Sequence, residues 1–178
     1  MVRIEKTDRV LASVEQVFAV ARDKLPDLVP FLPNIERIEV KERKDEAGRV
    51  LIVNRWYAKA DIPAAAKKFV SPDLLSWQDT ATWDGTLLKV DYRLQSFVAN
   101  ELFLAQGTNT FKATADGATD LTVRCDVEIY PEKLPGVPRF LAGAVKGPVE
   151  ETIKKILTPN LMSFAQGLNG YFKAQGRT

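Results

Sequence analysis

Histidine is absent from the 178 residues. That removes Ser-His-Asp and Cys-His nucleophilic systems and histidine-based metal sites, and leaves carboxylate, Lys, Tyr or Cys as the chemistry an enzyme of this sequence would use. Cysteine is nearly absent: Cys125 alone cannot close an internal disulfide. The start MVRIEKTDR is charged and has no apolar signal-peptide core, so the cytoplasm is the expected compartment. Long apolar runs are also missing. The nearest, VPRFLAGAV, is short of the ~20 residues a membrane span needs and is broken by Pro138 and Arg139. Neither sign of charge dominates: 25 Lys and Arg stand against 23 Asp and Glu, interspersed along the chain. No basic stripe marks a nucleic-acid binder, and no metal or cofactor is expected.

What is present is a chain long enough for one domain with its own core. RIEKTDRVLA alternates as a strand. SVEQVFAVARDKL follows as a helix, with Ser13 as N-cap, Gln16 closing a capping box, and an apolar face of Val14, Val17, Phe18 and Ala21. The prolines of PDLVPFLPN suit a short helical turn and connector. From Ile35 to Tyr130 the pattern is strands punctuated by turns, near Gly48, at Pro63 and at two Asp-Gly pairs, which implies an antiparallel meander of six strands. A Pro- and Gly-rich connection then leads to a helical pattern from Pro148 to about Lys173.

The Asp-Gly pairs predict register. A two-residue loop at Asp84-Gly85 sets Ala81 beside Leu88, Asp79 beside Val90 and Trp77 beside Tyr92, with one face nearly all apolar. At the last hairpin a three-residue loop Ala115-Asp116-Gly117, with glycine in the left-handed position of a bulge, matches Leu121 with Phe111, Cys125 with Gly107 and Val127 with Ala105. A loop over Phe97 to Asn100 then sets Leu94 beside Phe103, Tyr92 beside Ala105 and Val90 beside Gly107. Across the resulting face, large residues stand beside small ones, and Asp79 and Asn109 are polar. Such a face has space above it.

This order resembles the helix-grip fold of the START-related superfamily, which includes birch-pollen allergen-like proteins, polyketide cyclases, lipid-transfer domains and coenzyme Q-binding proteins. The pieces that carry the resemblance are VLASVEQVFAVARD, VPFLPNIERIEV, QGTNTFKATADGATDLTVRCDVEI and KGPVEETIKKILTPNLMSFAQGLNGYF. An uncharacterised bacterial branch with a Pro/Gly-rich segment before a PVE-like helix start is the most similar. The resemblance implies an α+β fold over residues 1–178 as one ligand-binding domain. A curved antiparallel sheet of about seven strands would wrap a long C-terminal helix, with two short helices after the first strand. It further implies an apolar cavity for a lipid, quinone or polyketide-like molecule. No acid/base set of the superfamily's catalytic branches is present to carry over.

Asp79 is the one ionisable side chain on the apolar face. It is either satisfied by Asn109, a tyrosine hydroxyl or water, or it anchors a ligand or acts as a general base, with Tyr92 or Tyr57 as acid. Tyr57, Trp77, Phe103 and Phe111 serve as core or as cavity wall. Val90 and Gly107 belong to the same face. Cys125 reads as a small buried hydrophobe. The segment 135–147 fits either a portal flap that touches a membrane transiently or an ordinary loop with a short helix.

In the last helix Val149, Ile153, Ile156, Leu157, Leu161, Phe164, Leu168 and Tyr171 share a face. Thr158-Pro159 predicts a kink or restart. Asn160 and Gly167 fall within the apolar stripe and, with Phe164, are expected to face the cavity. Gly170 falls outside it. The expected function is binding or transport of a hydrophobic small molecule; the alternatives are a cyclase-like enzyme using Asp79 as base and a protein-interaction module of the same fold.

Overall fold

A computed structural model describes residues 2–59, 76–96, 103–130 and 158–176, with the single residues 143, 147 and 151. Pro63, the loop at 97–100, most of segment 135–147 and the helix face from Val149 to Leu157 lie outside the described residues. Strand β1 (Val2–Val10) leads to helix α1 (Val14–Asp23) and a 3-10 turn (Leu25–Phe31). The meander follows as β2 (Ile35–Glu46), β3 (Arg49–Ala58), β4 (Ser76–Asp84), β5 (Lys89–Ser96), β6 (Phe103–Ala113) and β7 (Thr119–Ile129). Helix α2 (Phe164–Ala174) comes last. The seven strands form one antiparallel sheet in the order β1-β7-β6-β5-β4-β3-β2. Among the described residues no helix is long and apolar enough to cross a membrane.

Local chemistry accounts for the first helix. The Ser13 hydroxyl oxygen accepts from the Gln16 amide at 3.5 Å, and Val14, Val17, Phe18 and Ala21 are buried, which is the expected face. The prolines of the next segment bend it into the 3-10 turn, which buries Leu25 and Leu28.

Two hairpins contrast. At the last, Ala113 pairs with Thr119, Gly117 has φ +82°, and Phe111 lies opposite Leu121, as the three-residue loop predicts. At the Asp84 hairpin the expected two-residue loop does not form. Asp84 instead pairs with Lys89, Trp83 with Val90, Ala81 with Tyr92 and Asp79 with Leu94. The Asp84 carboxylate accepts from the amides of Thr86 (3.0 Å) and Leu87 (2.9 Å), and this widens the turn. Leu88, at φ 49°, takes a left-handed conformation in this wider turn. The β5–β6 register is displaced as well, with Val90 opposite Asn109, Tyr92 opposite Gly107 and Leu94 opposite Ala105. Both displacements are even, so every side chain keeps its expected face although its neighbours change.

Residues 158–162 are helical and Ser163 forms a turn before α2. The Ser163 amide donates to the Pro159 carbonyl and the Gly167 amide to the Ser163 carbonyl, both at 2.9 Å. The local irregularity thus falls one turn after Pro159. Asn169 ties α2 to the end of β1, accepting from the Leu11 amide at 2.8 Å and donating to the Arg9 carbonyl at 2.9 Å.

Candidate functional site: a cavity between the sheet and the C-terminal helix

The sheet's inner face carries three successive rows: Asn54, Asp79, Leu94, Ala105 and Val127; then Ile52, Ala81, Tyr92, Gly107 and Cys125; then Val50, Trp83, Val90, Asn109 and Val123. Above part of this face is a cavity of about 80 Å³. A single water needs only ~10–15 Å³ of such space. Strand β4 contributes Trp77, Asp79, Ala81 and Trp83, and β5 contributes Val90, Tyr92 and Leu94. Trp56, Asn109 and Val123 come from β3, β6 and β7. The roof is Leu25 of the 3-10 turn with Asn160, Leu161 and Phe164. The wall is therefore mainly apolar and rich in aromatic rings, with a small polar set.

Asp79 is the chemical centre of that set. It is 7% exposed, and its Oδ2 accepts from the Asn54 amide nitrogen at 3.3 Å and the Trp56 indole N–H at 3.2 Å. The expected partners, Asn109 and a tyrosine hydroxyl, do not bond to it: the displaced register moves Asn109 from the neighbouring row to two rows away, and Tyr92 bonds elsewhere. Its Oδ1 is buried with no hydrogen-bond partner among the described residues. Burial raises the carboxyl to about 6, against the smaller opposing effect of the bonds from Asn54 and Trp56. The Trp56 and Trp77 rings stack beside it, with centroids 5.8 Å apart and planes at 16°. Asn109 is also buried, with an unpartnered Oδ1.

Of the residues expected to line the cavity, Trp77, Asp79, Val90, Tyr92, Asn109, Asn160 and Phe164 do so. Five do not. Tyr57 alternates with Trp56 and lies on the other face of β3, its ring under the Arg37 guanidinium at 3.7 Å and its hydroxyl donating to Glu39 at 3.4 Å. Phe111 meets Phe18 edge-on at 5.3 Å in the core under α1. Phe103 is buried at the far end of β6, opposite Ile129. Gly107 serves Tyr92: a Cβ there would lie 2.6 Å from the tyrosine oxygen and 2.0 Å from the Arg124 carbonyl oxygen.

Gly167 does not provide room in the cavity. A Cβ on it would meet Leu32 Cδ2 at 2.9 Å, and one on Gly170 would meet Phe31 Cδ1 at 2.8 Å. The two glycines, one helical turn apart, let α2 sit close against the 3-10 turn. The apolar stripe does contain Gly167, but at that level the stripe faces Leu32.

The acid role considered for tyrosine finds no geometry. Tyr92 lines the cavity, yet its hydroxyl donates to the Arg124 carbonyl at 3.1 Å, and burial holds its phenol far above the ordinary value. Burial also pushes the Cys125 thiol up to about 11, in keeping with an inert core cysteine. Asn54 and Trp56 are the Asp79 partners that sequence reasoning missed. Both lie on β3, where apolar residues on both faces hide the alternation. Counting from the Gly48 turn, the signal available, places Asn54 and Trp56 on one face.

No family model and no curated protein sequence matches the chain. Solved structures do. The Zhui aromatase/cyclase from Streptomyces sp. R1128 superposes with a TM-score of 0.72 at 15% identity, covering 99% of this chain and 96% of that one. The chain has the helix-grip fold. Ara h 8.0201 shares it at a TM-score of 0.54 and 15% identity, over 97% of this chain and 98% of that one. A START superfamily protein from Mycobacterium smegmatis matches at 0.54 and 17% identity, with the same coverage of 97% and 98%. In this helix grip the cavity lies where the sheet's concave face meets the C-terminal helix.

Proposed function

We propose that the chain binds or carries a hydrophobic small molecule, lipid-, quinone- or polyketide-like in its apolar bulk, inside the helix-grip cavity. The observation that carries this reading is the pair of unpartnered acceptors, Asp79 Oδ1 and Asn109 Oδ1, in a mainly apolar wall. Buried polar atoms are nearly always satisfied, and a missing partner costs about 1–3 kcal/mol. A ligand that brings N–H or O–H donors removes that cost while burying its own apolar surface. A cytoplasmic setting, read from the single cysteine, belongs to the same proposal.

The test uses the uncharged fluorophore N-phenyl-naphthylamine, with native mass spectrometry of the purified chain for a co-purifying molecule. Fluorescence should rise on binding and be lost in Ala81→Phe, which sets a ring into the cavity, while near-ultraviolet circular dichroism shows that the variant stays folded. Absence of binding, or binding indifferent to the inserted ring, overturns the reading and leaves the protein-interaction role as the better one.

A second, enzymatic reading rests on Asp79. A carboxyl raised to about 6 suits a general base near neutral pH, and the similar Streptomyces protein is an aromatase/cyclase. Neither Tyr57 nor Tyr92 offers its hydroxyl to the cavity, so such chemistry would use Asp79 without a tyrosine acid.

A further inference from the structure

We propose that the cavity selects a protonated organic amine with an aromatic or alkyl body, its ammonium group set against Asp79 Oδ1. The inference rests on the ligand-binding reading above and narrows it to a class of ligand.

The argument begins with charge. Asp79 is 7% exposed and among the described residues has two partners, Asn54 and Trp56, both neutral and both on Oδ2. None of the described wall residues is Lys or Arg, so among them the ionised carboxylate has no countercharge. A buried carboxylate without a cation is unstable unless it is protonated or a cation is brought to it. Its unpartnered oxygen is buried, on a side chain that lines the cavity, so a ligand cation entering beside Asp79 would supply the missing charge.

The rest of the wall suits the same guest. Trp56, Trp77, Trp83, Tyr92 and Phe164 line the space, and ring faces attract organic cations, most strongly when both are out of water. A protonated primary amine has three N–H donors, and the described wall holds two unpartnered acceptor oxygens, Asp79 Oδ1 and Asn109 Oδ1. The amide orientation of Asn54 is set by its bond: rotated by half a turn, it would place oxygen against the Asp79 carboxylate. A neutral alcohol satisfies Oδ1 with one bond but leaves the charge uncompensated. An anionic head group would meet the carboxylate with like charge.

The preference should depend on pH. Among the described wall residues, drawn from β3 to β7, the 3-10 turn and the C-terminal helix, the other titratable side chain is Tyr92, whose hydroxyl is engaged by Arg124. Protonating Asp79 removes the charge that distinguishes an ammonium from a hydroxyl, so the two should then bind alike.

The experiment compares phenethylamine with phenethyl alcohol, which has the same body and a neutral head, by quenching of tryptophan fluorescence and by calorimetry. Near neutral pH the amine should bind about tenfold more tightly or better. The ratio should fall toward one at about pH 4, where Asp79 is protonated, and in Asp79→Asn near neutral pH. Equal binding of the two near neutral pH, or a preference that survives Asp79→Asn, overturns the inference. The pH series on the unsubstituted chain decides the matter even if the variant does not fold. Retention of N-phenyl-naphthylamine with no binding of the amine sinks the amine inference and leaves the cavity reading standing. Failure of all three probes sinks both.

Discussion

The two ends of the concave face are built from similar residues and behave differently. Near the Asp84 turn, Phe18 of α1 meets Trp83 and Phe111 edge-on, each at 5.3 Å, and the three rings pack together, with Trp83 also forming the edge of the cavity. Near Asp79, Trp56 and Trp77 lie flat against each other, and the covering helix brings Asn160, Leu161 and Phe164, whose ring is in no aromatic pair among the described residues. One end is sealed by a side chain from a helix laid on the sheet. The other is spanned and left open. Aromatic content therefore does not distinguish core from cavity here; what arrives from the opposite layer does.

The sharpest way to break this comparison is to remove the wedge. Phe18→Ala should destabilise the chain by about 3–5 kcal/mol, read as a lowered denaturant midpoint; a loss under about 1 kcal/mol would mean that the packed end is not packed.

At the open end the sign should reverse. Burial raises the Asp79 carboxyl from 3.8 to about 6, so as pH falls the folded chain takes up this proton before the unfolded one does. The Asp79 contribution to stability therefore improves as pH falls from about 6 to about 4, and is an unrelieved cost above that range. Asp79→Asn should raise stability near neutral pH by about 1–3 kcal/mol and remove this segment of the pH dependence. The other described carboxyls with shifted values, Glu5, Asp23, Glu39, Asp45, Asp84, Asp91 and Asp126, all lie below their ordinary values and act in the opposite sense. The difference between wild type and variant isolates Asp79. A variant less stable than wild type near neutral pH would contradict the assignment.

The smallest effect is expected at Gly167→Ala. The helix gains about 1 kcal/mol of propensity, offset by the contact with the Leu32 methyl at 2.9 Å, which is the movable end of its side chain. Stability should change by less than about 1 kcal/mol, and N-phenyl-naphthylamine affinity should not change. An altered affinity would return Gly167 to the cavity wall.

The strand series, the capped helix and the choice of inner face were legible because each depends on local pattern: alternation, a Ser13 cap, a Gly117 that needs positive φ. Register was legible where backbone conformation set the turn, and not where a side chain did. Asp84 could form either a tight Asp-Gly turn or a side-chain-capped wider one, and these differ by an even number of residues that alternation cannot detect. The candidate site was legible as a face and as seven of its residues, including Asp79. The partners of Asp79 were not, since Asn54 and Trp56 reach it only through the β3–β4 pairing.

Gly167 shows where the boundary lies. Helical periodicity alone determined that it belongs to the buried stripe, because that follows from 3.6 residues per turn. Which object the stripe meets at each level, Leu32 at Gly167 and a cavity at Phe164, was decided by how the 3-10 turn and the sheet curve toward the helix. Periodicity specifies a direction from one element's own axis; contact requires the position of a second element, and only tertiary packing supplies it.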